Sequence, residues 1–343
     1  MTSDRLTQMA ELHGCNCKLG ERDLKSLLEA SGMFVPESGS LLLGPGDDAG
    51  SIRVRGDLAY VTHLDFFTPI VDDPYLYGKI AACNAASDVY VKGAVQNVGL
   101  LVIMGFPLEV SRETMQKALG GIRDFCSETG AQILGGHTII NPWPLLGAAV
   151  TATASPSQII RNSTAKPGDL LFLTKPLGTQ PAMGAVRSLA QMKEEITSVL
   201  SEDEVLAVGD FAAELMSTPN KGAAEAMLEV GVNAATDITG FGLLGQAKTM
   251  AKRSGVDILI SRIPVIKGTL ELSRLFGYGL EKGEAAETSG GVLVSVSRSR
   301  RELFVRSLEK RGIPAYQVGV VEEGKGTAAV EKDIELIEVP PPR

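Results

Sequence analysis

Several short stretches of this chain hold residue types that do chemistry at spacings that let them act together. "HGCNCKLG", residues 13 to 20, sets Cys15 and Cys17 one residue apart with Lys18 directly after them. "GPGDDAG", Gly44 to Gly50, combines Pro45 and Gly46 with the adjacent carboxylates of Asp47 and Asp48. Glycines let successive backbone N–H groups turn toward an anion, and carboxylates are the hard oxygen ligands that magnesium prefers. Both halves of a metal–phosphate site are therefore present, although an Asp-rich turn between strands would use the same residues.

Asp65 ends the strand-like run "THLDFF", and Asn84 and Asp88, four residues apart, share one helix face with Ile80. An unpaired buried carboxylate is expensive, so this pair needs a structural hydrogen-bond network or a bound cation. In the second half "ATDITGFGLLG" puts Asp237 ahead of a glycine-containing helix entry, a place where backbone N–H groups and the macrodipole favour phosphate. Plain helix capping gives the same pattern. "LGGHTI" lets a strand end approach a ligand at Gly136, with His137 and Thr138 beside it. A lone histidine there serves structure as readily as function.

The two neighbouring cysteines admit three readings. A zinc clip needs four ligands, and Cys83 and Cys126 lie in amphipathic segments without CxxC partners. A local disulfide is disfavoured in a reducing compartment. A reactive thiolate on an exposed segment, with the charge of Lys18 nearby, fits best.

The elements that must position these groups follow from composition and periodicity. At 343 residues the chain is too long for one ordinary core, and 44% hydrophobic with 22% charged residues is the balance of a soluble globular protein. A net charge of −8 and a pI near 5.1 argue against a nucleic-acid surface, which needs clustered Lys and Arg. The first residues lack a signal-type apolar core and the longest apolar run, residues 98–106, is too short to span a bilayer, so a cytoplasmic protein without a membrane partner is expected.

Period-two runs predict strands at 51–54, 58–67, 98–104, 131–140 and 145–154, then at 170–175, 256–261, 291–297 and 315–321. Helical spacing predicts helices from Glu21, from Asp73 with Pro74 at its first position, over 111–128, and around 203–217, 221–230, 241–254 and 300–311. The expected class is α/β of the α+β type, with two mixed-sheet domains: an arm over 1–20, flexible because it has few apolar anchors, a first domain over 21–156 and a second over 157–343.

Taken together, "GCNCK", "GPGDDAG", "LDFFTPIVDDPYLYGKIAACNAASDVYVKG", "GGHTI", "LTKPLGTQ", "ATDITGFGLLG" and "ETSGG", in order from residue 14 to 291, resemble the selenophosphate synthetase family. That family lies within the aminoimidazole ribonucleotide synthetase-like ATP-binding group. The resemblance implies a pair of α/β domains, the first forming a homodimer through its sheet. It implies a reaction in which ATP, selenide and water give selenophosphate, AMP and phosphate, with Mg2+ required and K+ assisting. The selenium would come from selenide or from a protein selenium donor. By the same resemblance Cys15 matches the essential cysteine, filled by selenocysteine in some members, and Lys18 the lysine that reaches the ATP phosphates. Asp48, Asp88 and Asp237 match magnesium ligands. Asp65, Asp88 and the Gly136-His137-Thr138 stretch match nucleotide contacts, and Pro45, Gly46 and Asp47 complete a loop over the nucleotide. Ile140 and Trp143 stand where acidic residues are frequent, and Gln246 where histidine is.

Overall fold

In the computed structural model, which describes residues 5–19, 21–33 and 39–342, the period-two runs become strands of two separate six-stranded sheets. The chain divides into a first unit drawn from Met1–Arg161 and Pro219–Leu228 and a second drawn from Asn162–Thr218 and Glu229–Arg343. The sequence reading placed everything after residue 156 in the second domain. Pro219–Leu228 packs with the first unit because Asn220 donates to Ser87 Oγ at 2.9 Å and Lys221 Nζ donates to the Thr129 carbonyl at 2.6 Å.

The first unit runs α1 (Glu21–Ala30), β1 (Leu41–Leu43), β2 (Gly50–Arg55), β3 (Leu58–Phe67), α2 (Pro74–Val91), β4 (Gln96–Phe106), α3 (Arg112–Thr129), β5 (Gln132–Ile140) and β6 (Leu145–Ala154). Its strand order is β1-β2-β3-β6-β4-β5, antiparallel except for the β4–β5 pair at one edge. Helix α2 starts where the sequence says it must: the Asp73 carboxylate accepts the Leu76 N–H at 2.8 Å and Pro74 takes the first turn. Nearly every residue from Tyr77 to Val91 is buried, which makes α2 the central helix of the unit. It meets α3 at two glycines, and a Cβ at Gly78 or Gly121 would lie 1.8 or 2.0 Å from a carbonyl oxygen of the other helix.

The second unit runs β7 (Leu170–Leu173), α4 (Thr179–Ser188), α5 (Lys193–Thr197), α6 (Glu202–Met216), then, after α7 (Lys221–Val230), β8 (Ala234–Asp237), α8 (Gly242–Ser254), β9 (Val256–Ile266), α9 (Thr269–Phe276), β10 (Val292–Val296), α10 (Arg301–Glu309), β11 (Tyr316–Glu323) and β12 (Ala328–Val339). The order is β12-β9-β11-β7-β10-β8, again antiparallel except for one edge pair, β12–β9. Its core gathers Leu171, Leu173, Ile258, Ile260 and Leu293 from the sheet with Leu243, Ala247 and Met250 from α8.

The arm expected over 1–20 is docked in this structure. Of residues 1–20, positions 1–4 and 20 lie outside the described residues, and the rest packs against the first unit. Leu6 and Cys15 are buried, the Thr7 N–H donates to Asp72 at 2.8 Å, and the Gly14 N–H donates to the Thr68 carbonyl at 3.1 Å. Polar anchors supplied by Thr68 and Asp72 do what the sparse apolar residues cannot.

Candidate active site

The period of two along β3 sends Ala59, Val61, Asp65 and Phe67 into the helix-covered side, with His63 in the same alternation, while Tyr60, Leu64 and Phe66 stand on the other face. The helical period along α2 lines up Asn84 and Asp88 and carries the row one turn further to Lys92 at the C-cap. Asn84 Nδ2 and Lys18 Nζ both donate to Asp65 Oδ2, each at 2.8 Å. Cys15 Sγ donates to Asn84 Oδ1 at 3.3 Å. Cysteine, amide, carboxylate and ammonium are thus joined in one continuous chain of hydrogen bonds. Beside it, His63 Nε2 lies 3.1 Å from Asp88 Oδ2.

The glycine-containing loop is held from below. Lys92 Nζ sits 2.6 Å from Asp47 Oδ1 and 2.6 Å from Asp48 Oδ2, and the side chains of Lys92 and Asp47 are 0% exposed. Asp47 Oδ1 also accepts the Asp48 N–H at 3.0 Å, so this carboxylate ties the loop to itself and to Lys92. Gly46 takes φ +103° and Pro45 bridges Asp47, a bend that needs a residue without Cβ.

Like charges crowd this pocket. Burial, and after it the charges of Asp48 and Asp65, hold the Asp88 carboxyl well above the usual carboxylate range, against the pull of Lys18 and Lys92. Burial opposes the charge on Lys18, but Cys15, Asp65 and Asp88 around it outweigh that and raise its pKa. Lys92 is raised in the same way, by Asp47 and Asp48. Burial pushes the Cys17 thiol up, while the Thr68 backbone and the Lys18 charge pull the other way. Cys15 is 1% exposed, not an exposed nucleophile. Four carboxyl groups, Asp47, Asp48, Asp65 and Asp88, face two ammonium groups, Lys18 and Lys92, so oxygen donors outnumber the cations that hold them. That donor set fits a divalent cation with oxygen ligands such as Mg2+.

The structure thus brings Cys15, Lys18, Pro45, Gly46, Asp47, Asp48, Asp65 and Asp88 into one neighbourhood. It does not bring Gly136, His137 and Thr138 there. These lie on β5, which β6 and β4 separate from β3, about 14 Å away at the usual strand spacing. His137 pairs with Ile103, and Ile103 with Gly147 and Phe66 beyond it, so His137 belongs to the sheet face opposite Asp65. His63 and Lys92 were missed by sequence reading, though both had a signal: His63 is two residues before Asp65 on a strand, and Lys92 is four after Asp88 on a helix.

Asp237 belongs to the second unit, where it is buried at the end of β8 opposite Val292. Three of the quoted stretches converge around it. The Ile238 N–H donates to the Gly291 carbonyl at 2.8 Å and the Glu287 N–H to the Thr239 carbonyl at 3.0 Å. The Glu287 carboxylate accepts the N–H groups of Gly178 and Thr179 at 2.7 and 2.9 Å, and Lys175 Nζ donates to the carbonyls of Thr218 and Ser289. The helix entry after Asp237 is less open to an anion than expected, because the Leu244 N–H already donates to the Gly283 carbonyl at 2.8 Å.

Comparisons with known proteins agree with this architecture. Residues 46–154 match the family described as AIR synthase related protein, N-terminal domain, and residues 166–332 its C-terminal domain. Among solved structures, thiamine monophosphate kinase from Aquifex aeolicus superimposes with a TM-score of 0.67 at 18% identity, covering 94% of this chain and 100% of that one. Hydrogenase maturation protein HypE in complex with ATP gives 0.62 at 19%, covering 92% of each chain. Fold and site together define a two-domain α/β protein of the AIR synthase-related class. A selenide, water dikinase from Methanocaldococcus jannaschii is 43% identical over 98% of both chains, and selenide, water dikinase 2 from Homo sapiens is 37% identical over 87% of this chain and 70% of that one. The chain belongs to the selenide, water dikinase family.

Proposed function

We propose that this chain is a selenide, water dikinase enzyme that uses ATP and selenide to make selenophosphate, with AMP and phosphate as the other products. The observation that carries the reading is the hydrogen-bonded chain from Cys15 through Asn84 and Asp65 to Lys18, which couples a thiol to an ammonium in a pocket of carboxylates. Transfer of a phosphoryl group depends mainly on positioning and on cations that stabilise the transferring charge. Selenide is already a strong nucleophile, so the protein has only to deliver it and keep water away. In this reading Lys18 leaves Asp65 to meet phosphate, and Cys15, buried beside Asn84, handles selenium. Asp65 and Asp88 orient the groups around them.

Asp48 and Asp88 are the proposed magnesium ligands, and by the family resemblance Asp237 is a third. Magnesium bound there would be shared between the carboxylates and the phosphates of ATP, which would otherwise repel each other. A K+ requirement, a protein selenium donor and nucleotide contacts from Gly136, His137 and Thr138 are proposed on the same resemblance. No helix among the described residues is long and apolar enough to cross a membrane. A cytoplasmic setting, where Cys15 and Cys17 would stay as thiols, is part of this proposal.

Phosphorus NMR of ATP and magnesium with and without selenide tests the reading. Selenide-dependent AMP and a selenophosphate resonance are expected. Cys15→Ala should abolish both while nucleotide binding persists, and ADP as the product, or full activity in that variant, would refute the assignment.

A further inference from the structure

We propose that His63, Asp65 and Asp88 form a divalent-cation site with one nitrogen and two carboxylate ligands, and that the Lys18 ammonium holds the cation's place when the arm is docked. The site goes beyond the magnesium reading: it shares Asp88 with it, adds His63, and needs neither nucleotide nor Asp237. One ligand atom from each of the three residues lies within 4.8 Å of the others, and His63 Nε2 is already 3.1 Å from Asp88 Oδ2. The geometry has a simple origin. His63 and Asp65 are two apart on β3 and share a face, and α2 brings Asp88 against that face.

A second observation points to a positive ligand. Lys18 Nζ, 2.8 Å from Asp65 Oδ2, puts a cation on the one oxygen that also accepts Asn84 Nδ2. A metal ion taking Asp65 Oδ2 must displace that ammonium, so metal binding and this docking of Lys18 exclude each other. The imidazole sets the ion's identity. Magnesium is served by oxygen ligands, whereas first-row transition ions accept imidazole nitrogen readily. The site therefore favours ions of the manganese, cobalt and zinc group over magnesium.

The test uses the full chain without nucleotide and Mn2+ as the probe, since Mn2+ takes nitrogen and oxygen donors without seeking the thiols of the arm. Pulsed EPR should show a nitrogen-14 coupling from a bound imidazole in the wild type and lose it in His63→Gln, with His13→Gln and His137→Gln retaining it. Mn2+ affinity should fall about tenfold in His63→Gln, a loss typical of a disturbed ligand set. Displacement by Mg2+ should report a Mg2+ affinity within about twofold of the wild type, as expected of an ion served by oxygen ligands. Lys18→Ala should bind Mn2+ severalfold more tightly. A purely structural His63 would lower the melting temperature without a nitrogen coupling in the wild type. Absence of that coupling, its persistence in His63→Gln, or unchanged Mn2+ affinity in that variant overturns the site; equal or weaker Mn2+ binding in Lys18→Ala overturns the exchange with lysine.

Discussion

Lys92 and Asp47 are fully buried charges, and such a pair adds little net stability while fixing geometry firmly, because removing either partner strands the other. Here the pair fixes the glycine-containing loop to the end of α2, with Asp48 held on the same ammonium. Glu287 does a comparable service in the second unit, where its carboxylate accepts the N–H groups that open α4. Burial, the largest influence, raises its pKa from 4.5 to about 7 despite the bonds from Thr179 and Gly178. The folded pKa exceeds the unfolded one, so the stabilisation is full below about pH 4.5, declines as pH rises to about 7 and is flat beyond. Denaturant unfolding of wild type and Glu287→Gln should show their stability difference shifting against the wild type by about 2–3 kcal/mol between pH 5 and 7.5. A difference that does not move with pH would remove Glu287 from this role.

At the scale of elements, α2 organises the first unit, and its crossing with α3 sets how closely Asn84, Asp88 and Lys92 approach β3. A Cβ on Gly121 would meet the Tyr75 carbonyl oxygen at 2.0 Å, whereas one on Gly120 would find only a Tyr75 ring carbon at 3.9 Å. Alanine substitutions at these neighbours should act with opposite sign. Gly121→Ala should lower stability by about 1–3 kcal/mol through overpacking, and Gly120→Ala should raise it by about 0.5–1 kcal/mol through helix propensity. Thermal unfolding of both variants checks the pair, and matching shifts would mean the helices do not cross there. Strands with clear alternation and helices with caps, such as β3, β6, α2 and α3, were legible in the sequence because local pattern and burial agree. Strand β12 was not, since Glu331, Lys332, Asp333, Glu335 and Glu338 mask its period on an exposed sheet edge. β8 is four buried residues without alternation, and carries no strand signal in its sequence. Within the site, carboxylates and cysteines announced themselves by type, but Lys92 looks in sequence like any solvated lysine at a helix end. Its role is visible only when the loop at Asp47 and Asp48 folds over it.

Among the described residues, the first unit leaves one side uncovered. Tyr60, Leu64, Phe66, Leu101 and Ile139 stand exposed on the sheet face away from the helices, and all of β5 is exposed at the edge. A long apolar edge strand without cover invites pairing with another chain, which supports the proposed homodimer. Sedimentation velocity should find a dimer, and Phe66→Asp with Leu64→Asp should yield a folded monomer; a monomeric wild type would exclude the proposal.

The packing of Cys15 has a consequence for measurement. Cys15, Cys83 and Cys126 are buried and Cys17 is partly so. A thiol reagent can therefore modify Cys15 only during moments when residues 14–18 lift from β3, and its labelling rate relative to a free thiol is a protection factor for that lift. Ligands that draw Lys18 away from Asp65 should loosen that hold and speed the labelling, so a simple alkylation clock reads how far the arm and the carboxylate pocket share one equilibrium.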